Sequence, residues 1–203
     1  MNTAHDTLPD HVAANVAAIA ALVPHGSRVL DLGCGRGELL AHLIAQRGCS
    51  GYGVEIDDTN LQACVQRGVD VIQLNLEEGL AMFADHSFDV VLQLQTLQHL
   101  KNTETMLRET ARVGRMGIVS FPNFAHWPNR LSVLRGRMPV TKTLPYQWYD
   151  TPNIRVSTFA DFEVLAQRNG LRVLQRFGVQ GGQRVNLMPN LRASVAFFQF
   201  DRG

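Results

Sequence analysis

The sequence predicts an α/β fold: a doubly wound, mostly parallel sheet with an antiparallel pair of strands at its C-terminal edge. Three observations predict it. Short Leu- or Val-rich runs alternate with stretches of helical period between residues 28 and 121. A glycine turn, Gly33-Cys-Gly-Arg-Gly37, sits where the first run hands over to the first helical stretch. The last third carries two apolar runs joined by a Gly/Asn/Pro-rich link, which suits antiparallel pairing.

Taken in order, Val12, Val16, Ile19 and Val23 recur at spacings of four and three, so residues 1–26 contain an amphipathic helix that Pro24 and Gly26 end. Arg28 to Leu32 (RVLDL) is a strand, and about Arg36 to Gln46 a helix. Gly51 to Ile56 is a strand, Asp58 to Arg67 a helix with Asp57 or Asp58 as N-cap, and Asp70 to Leu74 a strand. Phe88 to Leu94 is the fourth strand, Thr103 to Val113 the next helix, and Met116 to Phe121 the fifth strand. About His126 to Arg135 is helical, with Asn123 or His126 near its start. Thr158 caps a helix that reaches Arg168 and stops at Gly170. Leu171 to Val179 and Ala193 to Phe200 are the final strands.

The chain has 203 residues, 45% hydrophobic and 18% charged, with 19 Lys plus Arg against 18 Asp plus Glu. That is one domain, 1–203, with enough apolar residues for a core and no disordered composition. Near-neutral charge argues against a nucleic-acid binder, which needs many clustered cations facing phosphates. No apolar run approaches the ~18 residues of a membrane span, and no basic stretch opens a secretory signal. Cys34, Cys49 and Cys64 form no CxxC pair, and the histidines show no ligand spacing, so no metal is expected and a reducing cytoplasm is the simplest compartment.

The glycine turn follows Asp31-Leu32. A dinucleotide fingerprint GxGxxG needs glycine at position 38, which is Glu38, and a carboxylate in the first turn of that helix is a poor neighbour for pyrophosphate. Glu55 closes the second strand, 22 residues after Gly33, where an acid accepts the hydroxyls of a ribose. The combination specifies a nucleoside without a diphosphate. S-adenosylmethionine is such a molecule, and its ammonium and sulfonium charges make Asp31 a sensible counter-charge. The bland alternative is a tight turn with Asp31 as a capping residue.

Val29 to Gly37 (VLDLGCGRG) resembles the first motif of the Rossmann-like S-adenosylmethionine-dependent methyltransferase fold. That resemblance implies that Asp31, Gly33, Cys34, Gly35 and Gly37 surround the methionine part of the cofactor, that Glu55 takes the ribose, and that Ile56 packs near the adenine. Asn75, followed by Leu76, stands where the superfamily places an acid for the adenine amino group; an amide oxygen accepts the same hydrogen bond more weakly. Gln95-Thr-Leu-Gln-His99, Ser120-Phe-Pro-Asn123, and the run from Arg135-Gly-Arg-Met-Pro-Val-Thr-Lys142 through Trp148-Tyr-Asp-Thr-Pro-Asn153 resemble the MetW family of methionine biosynthesis proteins. The resemblance extends from Arg28 to Phe200. It implies a role in methionine synthesis beside a homoserine O-acyltransferase, with no secure methyl acceptor.

Residues 122–157 are distinct. They hold five of the eight prolines, both tryptophans, two of the three tyrosines, and five basic residues against the single acid Asp150. The segment therefore carries +4 and the rest of the chain −3. Three readings stand: a lid over the cofactor with Trp148 and Tyr149 shaping an acceptor pocket, a docking surface, or a satellite core beneath a long loop. For chemistry, Gln95, Gln98 and His99 follow the fourth strand where acceptor-facing residues belong. His99 is the candidate base, against the plainer reading of a histidine satisfying backbone groups. Two functions remain: a methyltransferase for a small-molecule acceptor, or a cofactor-sensing partner that modulates the acyltransferase without methylating anything.

Overall fold

The computed structural model describes residue 16 and residues 19–203. Much of the expected N-terminal helix lies outside the described residues. Val16, Ile19 and Ala20 are helical and buried, and Val23 is fully enclosed where the chain turns toward Pro24.

Eight strands form one sheet: β1 (Arg28–Leu32), β2 (Ser50–Glu55), β3 (Val71–Gln73), β4 (Phe88–Leu94), β5 (Gly114–Pro122), β6 (Leu171–Gln180), β7 (Gln183–Val185) and β8 (Val195–Arg202). The order is β3-β2-β1-β4-β5-β8-β6-β7, parallel from β3 to β5 and antiparallel thereafter. The helices are α1 (Glu38–Arg47), α2 (Asp58–Gln66), α3 (Thr103–Val113), α4 (Trp127–Leu134), α5 (Phe159–Arg168) and α6 (Pro189–Arg192).

Each connection follows from local chemistry. Gly37 and Gly48 bracket α1 in left-handed conformations that glycine adopts without strain. Asp57 caps α2 by accepting from the Asn60 amide, and Thr158 caps α5 by accepting from Asp161. Gly170, at φ +67°, turns the chain from α5 into β6.

The link between the last two strands is more structured than its composition suggests. The Gly181-Gly182 turn folds β7 back onto β6, and α6 follows. β8 then enters the sheet between β5 and β6, so the antiparallel partners are both interior and short β7 forms the edge. Side chains on alternate sides of the sheet build the core. One layer gathers Val29, Val90, Leu92 and Ile118 with α1. The other gathers Phe121, Phe198 and Phe200 under Phe159 and Phe162 of α5.

The chain runs outward from β1 through β2 to β3, then returns to β4 on the other flank of β1. This reversal leaves a crevice at the carboxyl ends of β1 and β4, where open α/β sheets bind ligands.

Candidate cofactor cleft

The glycine turn is fastened to β2 by backbone. The amides of Gly33 and Cys34 both donate to the Val54 carbonyl, at 2.8 and 3.0 Å. Gly33 and Gly35 have φ of +75° and +55°, but their surroundings differ. A Cβ on Gly33 would lie 2.6 Å from Thr96 Oγ1, whereas one on Gly35 would meet nothing within 4 Å. Packing therefore requires glycine at 33; at 35 the turn faces open space. Gly37 is backed by Cys64, whose Sγ would lie 2.9 Å from an added Cβ.

Glu55 joins the turn to the next element. Its Oε2 accepts from the Gly35 amide at 2.9 Å, and its Oε1 from the amides of Ile56 and Asp57 at 2.7 and 3.0 Å. Oε1 thus has both lone pairs engaged while Oε2 keeps one.

Asp31 is buried, 3% exposed, and its carboxyl is pushed up to about 7 by burial and then by the negative charge of Glu55. A cation beside it would oppose both effects. Cys34 and Cys64 bring their Sγ atoms to 3.8 Å, and the Cys64 thiol donates to the Gly35 carbonyl at 3.2 Å. Burial and the neighbouring Asp31 carboxylate push the Cys34 thiol far up, so it is no thiolate nucleophile. Cys64 braces the turn from behind, a contact for which the sequence carries no signal.

The cleft in front of the turn has a volume of about 420 Å³. Gly33, Glu55, Ile56, Asn75 and Leu76 of the predicted set line it; Asp31, Cys34, Gly35 and Gly37 are not among its lining residues. Ile56 is 59% exposed at its wall. Asn75 Oδ1 accepts from the Glu77 amide at 3.1 Å, leaving a second lone pair. Leu74, Leu94 and Leu100 complete an apolar lining that sequence reasoning missed.

Past β4 the wall is built with strain. Gln95 has φ +56°, held there by its amide donating to the Ser120 carbonyl at 3.0 Å. Thr96 Oγ1 donates to the Leu32 carbonyl at 2.9 Å, tying the end of β4 to that of β1. His99 lies on a 3₁₀ turn, Leu97–His99, and lines the cleft. Its Nδ1 is 3.1 Å from the Pro152 carbonyl, so the proton of that hydrogen bond resides on Nδ1.

Residues 122–157 contribute no lining residue to this cleft. They fold against the 3₁₀ turn, where the amides of Ile154 and Arg155 donate to the Gln98 carbonyl and Arg155 Nη2 donates to that of Lys101. The aromatics are not a satellite core. Trp148 and Tyr149 are 70% and 71% exposed and meet edge to face, while Trp127 and Tyr146 are exposed as well.

Residues 13–200 match the family described as methionine biosynthesis protein MetW. The chain belongs to the MetW family. It is 39% identical, over 98% of its length, to the bifunctional methionine biosynthesis protein MetXA/MetW of Rhodopirellula baltica, and spans 34% of that relative. It is 33% identical to the ubiquinone biosynthesis O-methyltransferase of Citrobacter koseri, over 84% of this chain and 76% of that one.

Solved structures share the fold of this MetW chain. A S-adenosylmethionine-dependent methyltransferase from Archaeoglobus fulgidus superposes with a TM-score of 0.69 at 16% identity, over 93% of this chain and 92% of that one. The magnesium protoporphyrin IX methyltransferase of Synechocystis, solved with bound S-adenosylhomocysteine, gives 0.67 at 20% identity, over 95% and 84%. The fold is that of the S-adenosylmethionine-dependent methyltransferases, as predicted.

Proposed function

We propose that this chain binds S-adenosylmethionine and acts in methionine biosynthesis together with a homoserine O-acyltransferase. The observation that carries the cofactor reading is the Glu55 carboxylate, which fastens the Gly35 amide of the glycine turn and lines a cleft of about 420 Å³. The residues fit the cofactor. Gly35 leaves open space for close approach, Ile56 offers an exposed apolar surface for a base, and Asn75 keeps an acceptor for an amino group. Glu38, in the first turn of α1, is paired with Arg67 at 3.4 Å, and a carboxylate in that turn disfavours a pyrophosphate.

When bound, S-adenosylmethionine supplies an electrophilic methyl group on a sulfonium. The chain's own residues hold it: Asp31 opposes its positive charge, Glu55 orients the ribose and the strained Gln95 shapes the wall. His99 donates its Nδ1 proton to the Pro152 carbonyl, which leaves Nε2 as the ring acceptor, 3.4 Å from Gln98 Nε2. The strain at Gln95 favours the second reading, methyl transfer to a small-molecule acceptor, since strained backbone concentrates at functional sites.

The partnership is supported by the bifunctional MetXA/MetW relative, in which the two names share one chain. Fusion holds partners at high effective concentration. The exposed basic and aromatic segment 122–157 suits docking. Three free thiols and the absence, among the described residues, of a helix long and apolar enough to cross a membrane agree with a cytoplasmic setting. The test is co-purification with the acyltransferase with and without S-adenosylmethionine: a donor-dependent affinity supports the sensor, and equal affinities contradict it.

A further inference from the structure

Ten of the eighteen large hydrophobic side chains exposed among the described residues fall within residues 122–157, less than a fifth of the chain. Exposed apolar side chains scattered singly need no explanation, but gathered ones mark a surface that another molecule covers. The backbone beneath them is braced. The Gly136 amide closes α4 on the Val133 carbonyl at 2.8 Å, Thr141 and Leu144 exchange backbone hydrogen bonds at 2.9 and 3.2 Å, and the Ile154 and Arg155 amides hold the far end on Gln98. Pro139, Pro145 and Pro152 fix further torsions. A surface held in place before contact loses little entropy on binding.

The apolar side chains surround a recess. Met138, Leu144, Tyr146, Trp148 and Val156 wall a notch of about 60 Å³, room for one side chain rather than a cofactor. Its walls are open to solvent, since Met138, Tyr146, Trp148 and Val156 are 49–70% exposed. Leu134, four residues before Met138 and 83% exposed, and Tyr149, edge to face with Trp148, extend the apolar surface. Arg135, Arg137 and Lys142 accompany it, exposed and without an ion pair among the described residues.

The charge selects the occupant. A second copy meeting this face through its own would set the same cations against each other. A nucleic acid needs flat rings for its bases, and Leu134, Met138 and Val156 offer none. An acidic protein surface answers both features. We propose that the end of α4 and the notch dock such a surface, with one apolar side chain of the partner seated among Met138, Tyr146 and Trp148 and its carboxylates facing Arg135, Arg137 and Lys142. This rests on the partnership proposed above, which makes the acidic surface that of the homoserine O-acyltransferase. The cations then govern the rate of association and the notch the rate of dissociation.

The test is binding kinetics of the purified chain on immobilised homoserine O-acyltransferase of the same organism. Association slows as salt rises from about 0.05 to 0.5 M. The triple charge reversal R135E/R137E/K142E slows it about tenfold or more at low salt. Met138→Asp, which sets a carboxylate in the notch, speeds dissociation about tenfold or more. The replaced side chains are exposed, so melting curves stay nearly unchanged. Binding that neither variant alters overturns the face, and an association rate indifferent to salt overturns the acidic complement. Self-association of the chain that Met138→Asp abolishes, or displacement of the acyltransferase by a single-stranded oligonucleotide, overturns the choice of occupant. Failure of the unaltered chain to bind the acyltransferase contradicts the partnership itself, an outcome distinct from binding through another surface.

Discussion

The Glu55 carboxylate accepts a hydrogen bond from the Gly35 amide at 2.9 Å, so one side chain at the end of β2 closes the glycine turn that follows β1. The same carboxylate holds the amides of Ile56 and Asp57. The geometry of the turn, and the ribose recognition proposed above, therefore depend on a single acid. Glu55→Ala should weaken S-adenosylmethionine binding by about 1.5–3 kcal/mol, the range for hydrogen bonds to a charged group. Glu55→Gln should fall between, since the amide keeps one acceptor; calorimetry on both variants checks the order.

Gly33 and Gly35 separate packing from ligand approach. Gly33→Val drives its side chain into Thr96 and should lower the melting temperature markedly. Gly35→Val has room for the side chain and pays mainly for its positive φ, so it should fold, yet lose the cofactor. Melting curves paired with binding isotherms distinguish the two. Equal loss of stability in both would contradict the distinction.

Asp31 makes binding and stability depend on pH in opposite directions. Its folded-state pKa, about 7, lies above the ordinary value of 3.8. The folded protein therefore holds a proton that the unfolded chain releases. That contribution to stability is fully present below about pH 4 and is lost as pH rises through 7. A cationic ligand favours the carboxylate, so S-adenosylmethionine affinity should rise with pH from 6 to 8 with release of protons. Asp31→Asn should flatten both profiles, as read by melting curves and calorimetry in buffers of different ionisation enthalpy.

Gln93 lies in the middle of β4, fully buried, with neither amide atom hydrogen-bonded. Gln93→Leu, of similar size, should stabilise the fold by about 1 kcal/mol because it removes an unpaid desolvation. Denaturant titration measures it, and a lower midpoint would contradict the assignment.

Trp148 and Tyr149 are tests of the docking reading. Both are largely exposed, so their replacement by alanine should leave the melting temperature nearly unchanged. If they anchor the acyltransferase, the double variant should lose about 2 kcal/mol or more of affinity for it. Unchanged affinity in a surface-binding assay would move the docking face elsewhere.

Much of this was legible in the sequence because strong patterns dominate where elements are buried. β1, β4 and α3 occupy the predicted residues, since Val90, Val91 and Leu92 form an unbroken buried run and α3 alternates Met106 and Leu107 with Thr110 and Ala111 on one face. The Thr158 cap of α5 follows from its hydroxyl, and the Gly170 stop from the missing Cβ that permits a positive φ. β7 and α6 escaped because a three-residue strand and a four-residue helix leave no period to read. Long-range relations were equally silent: the insertion of β8 beside β5, the brace from Cys64 to the Gly35 carbonyl, and the Pro152 carbonyl at His99 join residues distant in the chain. The exposure of Trp148 and Tyr149 could not be read from composition, because aromatics populate cores and interfaces alike.

The measurement that bears most directly on the central claim is titration of the folded chain with S-adenosylmethionine by calorimetry, alongside Gly35→Val. The account predicts saturable one-to-one binding, displaced by S-adenosylhomocysteine and absent in the folded variant. Absence of binding to the unaltered, folded protein, or undiminished binding by Gly35→Val, would contradict it.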